Sequence, residues 1–163
     1  MTAAALGVSD PGDILVEDDF IYAVSYQSST SPIYRRPRGA GAPVLFATVP
    51  ENGGGELLRM PSGDILVSGQ YHDTIWRVTP TGAVSVLTRL GAGRAAQQLA
   101  TDGRYLYVCS YTGFPGQILR VDLATLAVSV VATGLESPFG LIVTDSMIYF
   151  SNYFAHDIWA MRK

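Results

Sequence analysis

Apolar and polar positions repeat along this chain in a fixed order. A short apolar segment that ends in polar or aromatic residues occurs four times, about 42 residues apart. The copies are IYAVSY at 21–26, ILVSGQ at 65–70, LYVCSY at 106–111 and IYFSNY at 148–153. A second apolar segment follows each copy: PIYR at 32–35, TIWR at 74–77, QILR at 117–120 and DIWA at 157–160. The chain is therefore built from four repeats.

Each repeat is predicted to consist of β-strands. β-branched and aromatic residues dominate short runs, and clusters of Gly, Pro, Asp and Ser interrupt them. The third repeat predicts strands at 98–101, 105–110, 117–122 and 127–133. The second predicts strands at 56–59, 65–68, 75–78 and 83–88, and the first at 14–17, 20–25, 33–36 and 44–49. No segment shows a sustained helical period, and the last repeat stops after its third strand.

Four consecutive antiparallel strands per repeat are typical of a propeller blade. The sequence therefore predicts an all-β fold, a β-propeller with four repeats of four-stranded antiparallel blades in a single domain of residues 1–163. The predicted blades cover about residues 12–50, 55–90, 96–134 and 139–163, the last with residues 2–6.

The missing strand of the last blade leaves its completion open. Residues 7–14 share the layout of residues 134–141, so residues 2–6 take the register of the missing fourth strand. The last blade is completed by this N-terminal strand or by a second chain, and closure removes exposed sheet edges. Three assemblies remain open: a four-bladed ring, half of an eight-bladed homodimer, or a piece of a longer propeller.

Composition and charge limit the classes of binding partner that we expect. The 163 residues are 48% hydrophobic and 15% charged, with a formal net charge of −3. This composition is typical of a globular domain, and the lack of a basic surplus argues against nucleic acid and membrane surfaces as partners. The N-terminus has no basic region followed by a long apolar run, so we expect a cytoplasmic protein. The single cysteine, Cys109, is expected to be a small buried apolar residue.

Residues 137–159, SPFGLIVTDSMIYFSNYFAHDIW, resemble a repeat of the NHL and gluconolactonase group of propellers. That group includes regucalcin-like and strictosidine-synthase-like proteins, and residues 97–108 are similar over the same stretch. The blade pattern is shared by many functions, so the resemblance implies a fold more than an activity.

In lactonase-type members, the resemblance implies a divalent metal held at the central channel by Asn, Asp and Glu before a Gly-Leu pair. The matching positions here are Gly12, Gly55, Gln97 and Phe139. None is a carboxylate, although a hard cation needs charged oxygen ligands. We therefore expect no metal or other cofactor, unless Asp13 and Glu56 turn inward instead.

Each second strand is followed by a tyrosine at the same predicted end of its blade. These tyrosines are Tyr26, Tyr71, Tyr111 and Tyr153. Gln70 and Asn152 accompany them, and the loops that enter the first strands add Arg94 and Gln97. Aromatic faces beside amides suit sugars and other uncharged polar ligands. Tyrosine is also a favoured strand residue, so its repetition could serve blade packing alone.

The two histidines are weak metal candidates. His72 and His156 lie in equivalent loops and each precedes an Asp. Two histidines fall short of the three protein ligands typical of catalytic zinc, so a solvated His beside a turn-forming Asp is the favoured interpretation.

We expect a non-enzymatic binding or assembly module that uses the tyrosines for a sugar-like ligand or a partner protein. The alternatives are a lactone or ester hydrolase and a self-assembling half propeller that forms an eight-bladed homodimer. No catalytic residue is assigned, because the sequence contains no G-x-S-x-G, H-E-x-x-H or phosphate-loop motif.

Overall fold

A computed structural model describes residues 8–26, 29–111 and 115–163. These residues form four antiparallel sheets. Sheet 1 contains β1 (Pro11–Val16), β2 (Phe20–Ser25), β3 (Ser31–Pro37) and β4 (Val44–Val49). Sheet 2 contains β5 (Gly54–Arg59), β6 (Ile65–Gly69), β7 (Thr74–Val78) and β8 (Val84–Arg89). Sheet 3 contains β9 (Ala96–Thr101), β10 (Tyr105–Ser110), β11 (Gly116–Asp122) and β12 (Val128–Leu135). Sheet 4 contains β13 (Pro138–Val143), β14 (Met147–Asn152) and β15 (Asp157–Arg162).

Within each sheet the strands lie in chain order, so every strand pairs with its sequence neighbour. The first strands contact one another in the order β1, β5, β9 and β13. Each sheet is therefore a blade whose first strand faces a shared centre. No helix in the described part of the chain is long and apolar enough to cross a bilayer.

Strand alternation gives each sheet two apolar faces. In sheet 2, Leu66 packs in a cluster with sheet 3, whereas its neighbour Val67 packs in a cluster with sheet 1. Successive side chains of a strand point to opposite faces, so one continuous apolar strand serves two joints. We call the face toward the following sheet the leading face and the opposite one the trailing face.

Three apolar clusters join the sheets. One lies between sheets 1 and 2, one between sheets 2 and 3, and one between sheets 3 and 4. The first joint also carries an ion pair, in which Arg59 Nε and Nη2 bind both carboxylate oxygens of Glu17. Cys109 is fully buried in the third joint, and burial raises the pKa of its thiol.

Within the described residues, no apolar cluster joins sheet 4 to sheet 1. In the described part of the chain the four sheets follow one another in an arc, and large apolar side chains are exposed at both of its ends. Ile158 on sheet 4 is 79% exposed and Ile14 on sheet 1 is 53% exposed.

The structure confirms the predicted all-β fold with four successive antiparallel sheets. The predicted bounds of β2, β4 and β10 match those observed, and the other predicted strands differ at their ends by three residues or fewer. The predicted strand at residues 2–6 lies outside the described residues. The number of blades in the assembled ring and the completion of the last blade stay predictions.

Candidate functional site

The second strand of every sheet delivers a tyrosine to the same end of the arc. The strands β2, β6, β10 and β14 end at Ser25, Gly69, Ser110 and Asn152. The tyrosines that follow are Tyr26, Tyr71, Tyr111 and Tyr153, and we call these four residues the rim. Tyr71 and Tyr153 are the most open, with 67% and 64% of their surface exposed.

Three blades are tied together at the rim through Gln70. The Tyr26 hydroxyl of sheet 1 donates to Gln70 Oε1, and Gln97 Nε2 of sheet 3 donates to the Gln70 carbonyl oxygen at 3.0 Å. Burial raises the pKa of Tyr26, and the neighbouring Tyr71 and Asp13 raise it further. Tyr26 is therefore a neutral hydrogen-bonding group at ordinary pH.

Two glycines let tyrosine rings lie close against the backbone. A Cβ at Gly12 would stand 2.8 Å from the Tyr26 ring, and a Cβ at Gly53 would stand 2.6 Å from the Tyr71 ring. Gly53 also has a φ of 73°, which favours glycine. The glycine run at 53–55 therefore supports a rim ring.

A second aromatic group lies between sheets 3 and 4. The Phe154 ring is 6.5 Å from the Tyr111 ring and 5.3 Å from the Tyr153 ring, between centroids. Phe154 was missed in the sequence analysis, although the Tyr-Phe pair directly after Asn152 is a signal for it. Asn152 is buried, and its Oδ1 has no hydrogen-bond partner among the described residues. Apart from Arg94, the predicted ligand-binding residues therefore form two groups, one around Gln70 and one around Phe154.

Three predicted candidates lie outside these two groups. Arg94 Nη1 donates to the Leu90 carbonyl oxygen of its own loop at 2.7 Å. His72 Nε2 lies 2.6 Å from Asn52 Oδ1, and His156 is exposed with a φ of 58°. The described residues contain no group of three or more His, Cys, Asp or Glu side chains that could hold a metal ion.

Asp13 and Glu56 each bind the backbone of the following blade. Asp13 Oδ2 accepts from the Leu57 N–H at 2.8 Å, and Glu56 Oε2 accepts from the Leu99 N–H. Burial raises the pKa of Glu56 to about 7, because the Leu99 N–H only partly offsets it and Asp13 adds to it. These carboxylates connect neighbouring first strands.

Comparison with known proteins finds similarity of structure but not of sequence. No family model and no curated protein match this sequence. A protein of unknown function from Bacteroides thetaiotaomicron superposes with a TM-score of 0.72 at 15% identity, over 94% of this chain and 41% of its own. A virginiamycin B lyase from Staphylococcus aureus, solved with quinupristin, gives 0.67 at 14%, over 94% and 56%. A putative 6-phosphogluconolactonase from Bacteroides uniformis gives 0.69 at 13%, over 94% and 50%.

This chain therefore spans about half the length of the structures that it matches. Identities of 13–15% carry no argument about activity. What these likenesses show is that the chain has a β-propeller-like, all-β fold.

Proposed function

We propose that this chain is a non-enzymatic binding module, an NHL-like propeller segment whose rim takes an uncharged, sugar-like ligand. The observation that carries the proposal is the exposure of Tyr71 and Tyr153 at the same end of the arc, beside amide groups. A tyrosine face packs on the C–H surface of a sugar, and amides bond its hydroxyls.

The rim is held in place before any ligand arrives. The Tyr26 hydroxyl is bonded to Gln70, and the Tyr71 ring lies against Gly53. Side chains that are already ordered lose little conformational entropy on binding, so more of the contact free energy contributes to affinity. A rigid aromatic rim is therefore suited to a small polar ligand.

The group around Phe154 offers a second set of contacts for the same ligand class. Tyr153 and Phe154 are exposed rings, and the preceding residue, Asn152, has a buried Oδ1 without a hydrogen-bond partner among the described residues. A buried acceptor without a donor is costly, and a donor from a ligand or a water would recover that free energy. Polar and apolar contacts thus coincide at this end of sheet 4.

The test is titration calorimetry of the full chain against a panel of neutral mono- and oligosaccharides. Tyr71→Ala and Tyr153→Ala are each expected to raise the dissociation constant about tenfold or more, because each removes a stacking surface. The control is Leu126→Ala, at an exposed position on the hairpin at the opposite end of sheet 3, which should bind like the wild type. No sugar binding, or unchanged affinity in both tyrosine variants, would contradict the proposal.

A lactone or ester hydrolase is the second candidate, and one observation favours it. Glu56 lies on a first strand with a pKa of about 7, which suits a general base near neutral pH. Turnover of a lactone panel that falls at least a hundredfold in Glu56→Gln would support this candidate, and inactivity of the wild type would remove it.

A further inference from the structure

The exposed face of sheet 4 repeats a residue pattern that is buried everywhere else. The third strands of the four sheets carry Ile33, Ile75, Ile118 and Ile158 at the same register, opposite Val24, Ser68, Cys109 and Ser151. The first three isoleucines are 0% exposed, whereas Ile158 is 79% exposed. Sheet 4 therefore has the leading face of a blade, and no blade in the described part of the chain packs against it.

This leading face contains a groove. Ile142, Tyr149 and Ile158 line it together with Gly140 and Ser151, and its volume is about 360 Å³. Ile142 and Tyr149 are paired across β13 and β14, so they stand side by side on the face. At the equivalent register of sheet 1, Leu15 and Tyr22 pack against sheet 2.

The other end of the arc presents the complementary surface. Ile14, Ala23, Tyr34 and Leu45 form one row across sheet 1, on its trailing face. Ile14 is 53% exposed, whereas Leu57 and Leu99, which hold its position in sheets 2 and 3, are 4% and 2% exposed. Ala23 in the middle of this row is 4% exposed, but within the described residues no preceding blade packs on the trailing face of sheet 1, and Ile14 and Leu45 stay open.

We propose that a second copy of this chain covers both faces. The leading face of sheet 4 in each copy packs on the trailing face of sheet 1 in the other, which closes a ring of eight blades about a two-fold axis. This inference concerns assembly and stands apart from the proposed ligand.

A second copy fits because the two open faces are the two halves of one recurring contact. The chain makes this contact three times within itself, between sheets 1 and 2, 2 and 3, and 3 and 4. An occupant of sheet 4 must present a trailing blade face, and a second copy carries one. The chain also covers 41–56% of the solved propellers described above, so two copies have about the length of one of those chains.

The two contacts form together, which strengthens the assembly. Once one joint has formed, the other is intramolecular and closes at a high effective concentration. Gly140 stands where Asp13 and Glu56 stand in the first two sheets, so the joint to the partner lacks the carboxylate that binds the next first strand. The new joint therefore depends on its apolar contacts, with Ile14 and Ile158 as the most sensitive positions.

The experiment is light scattering after size exclusion on the full chain, over a hundredfold dilution series. The expected species is a dimer of twice the 17.5 kDa chain mass. Ile158→Glu and Ile14→Glu should each be monomers. In a dimer of either variant, each of the two joints would bury one glutamate charge. The control is Leu126→Glu, at an exposed site away from either end face, which should remain a dimer.

Mixing the two variants is the most specific test of the proposed pairing of faces. In a heterodimer of Ile158→Glu with Ile14→Glu, one joint carries both charges and the other carries none, so partial dimerisation should return. Circular dichroism of each variant checks that it is folded. A wild-type monomer at all concentrations, an open polymer, or a dimer that survives both single substitutions would overturn the proposal.

Discussion

Ile118 and Ile158 occupy the same place in neighbouring blades, and solvent reaches only one of them. Ile118 is buried against sheet 4, whereas Ile158 lies on the open leading face of sheet 4. The local patterns QILR and DIWA are alike, so the difference comes from what stands beside each blade. In a repeat architecture, the residue pattern describes a face that needs a neighbour, and exposure tells whether the neighbour is present.

The largest effect is expected from truncating the covered member of this pair. Ile118→Ala should lower the free energy of unfolding by about 3 kcal/mol, because it removes buried methyl groups and leaves a cavity. Ile158→Ala should cost less than about 1 kcal/mol at a concentration where the chain is monomeric, because solvent already surrounds the side chain. Urea unfolding curves of both variants measure the difference, and equal losses would break the comparison.

A second prediction concerns the carboxylate between the first strands. The pKa of Glu56 is raised in the folded state to about 7, so the folded chain disfavours its charge. The contribution of Glu56 to the free energy of unfolding is therefore fully present below about pH 4.5, and it is lost as the pH rises through about 7. Glu56→Gln keeps an acceptor for the Leu99 N–H and should be more stable than the wild type at pH 8 by roughly 2 kcal/mol.

The two proteins should have similar stability at pH 4.5. Thermal unfolding from pH 4.5 to 8 measures this, with Asp18→Asn, an exposed turn residue, as the control that follows the wild-type pH profile. A constant difference between Glu56→Gln and the wild type over the whole range would contradict the burial of the Glu56 charge.

The smallest predicted effect is at the ion pair of the first joint. Glu17→Gln removes the carboxylate that both Arg59 nitrogens bind, in a site where both side chains are partly exposed. The expected cost is about 0.5–1 kcal/mol, and it should shrink in 1 M salt because the pair is screened. Urea unfolding at low and high salt measures it, and a salt-independent loss would show that packing rather than charge holds this joint.

The strands could be predicted because their information is local. Alternation and turn residues fix both the bounds of β10 and its pairing with β11, and the structure has both where the sequence predicts them. The common end of the four tyrosines follows from the same register.

Contacts between blades could not be predicted in this way. The bond from Tyr26 to Gln70 joins residues 44 apart in sequence, and the ring contacts of Phe154 depend on how sheets 3 and 4 are placed. Nor does the sequence distinguish Ile118 from Ile158, because exposure depends on the neighbouring sheet. Local pattern specifies each blade, whereas the rim and the open faces depend on the arrangement of the blades.

Cys109 gives this molecule a built-in reporter. It is the single cysteine of the chain, and it is buried in the joint between sheets 3 and 4 beside Ile148 and Phe150. A thiol-specific reagent can reach it only when that joint separates. The rate of alkylation at a fixed reagent concentration therefore reports the fraction of chains in which this joint is open, without any substitution.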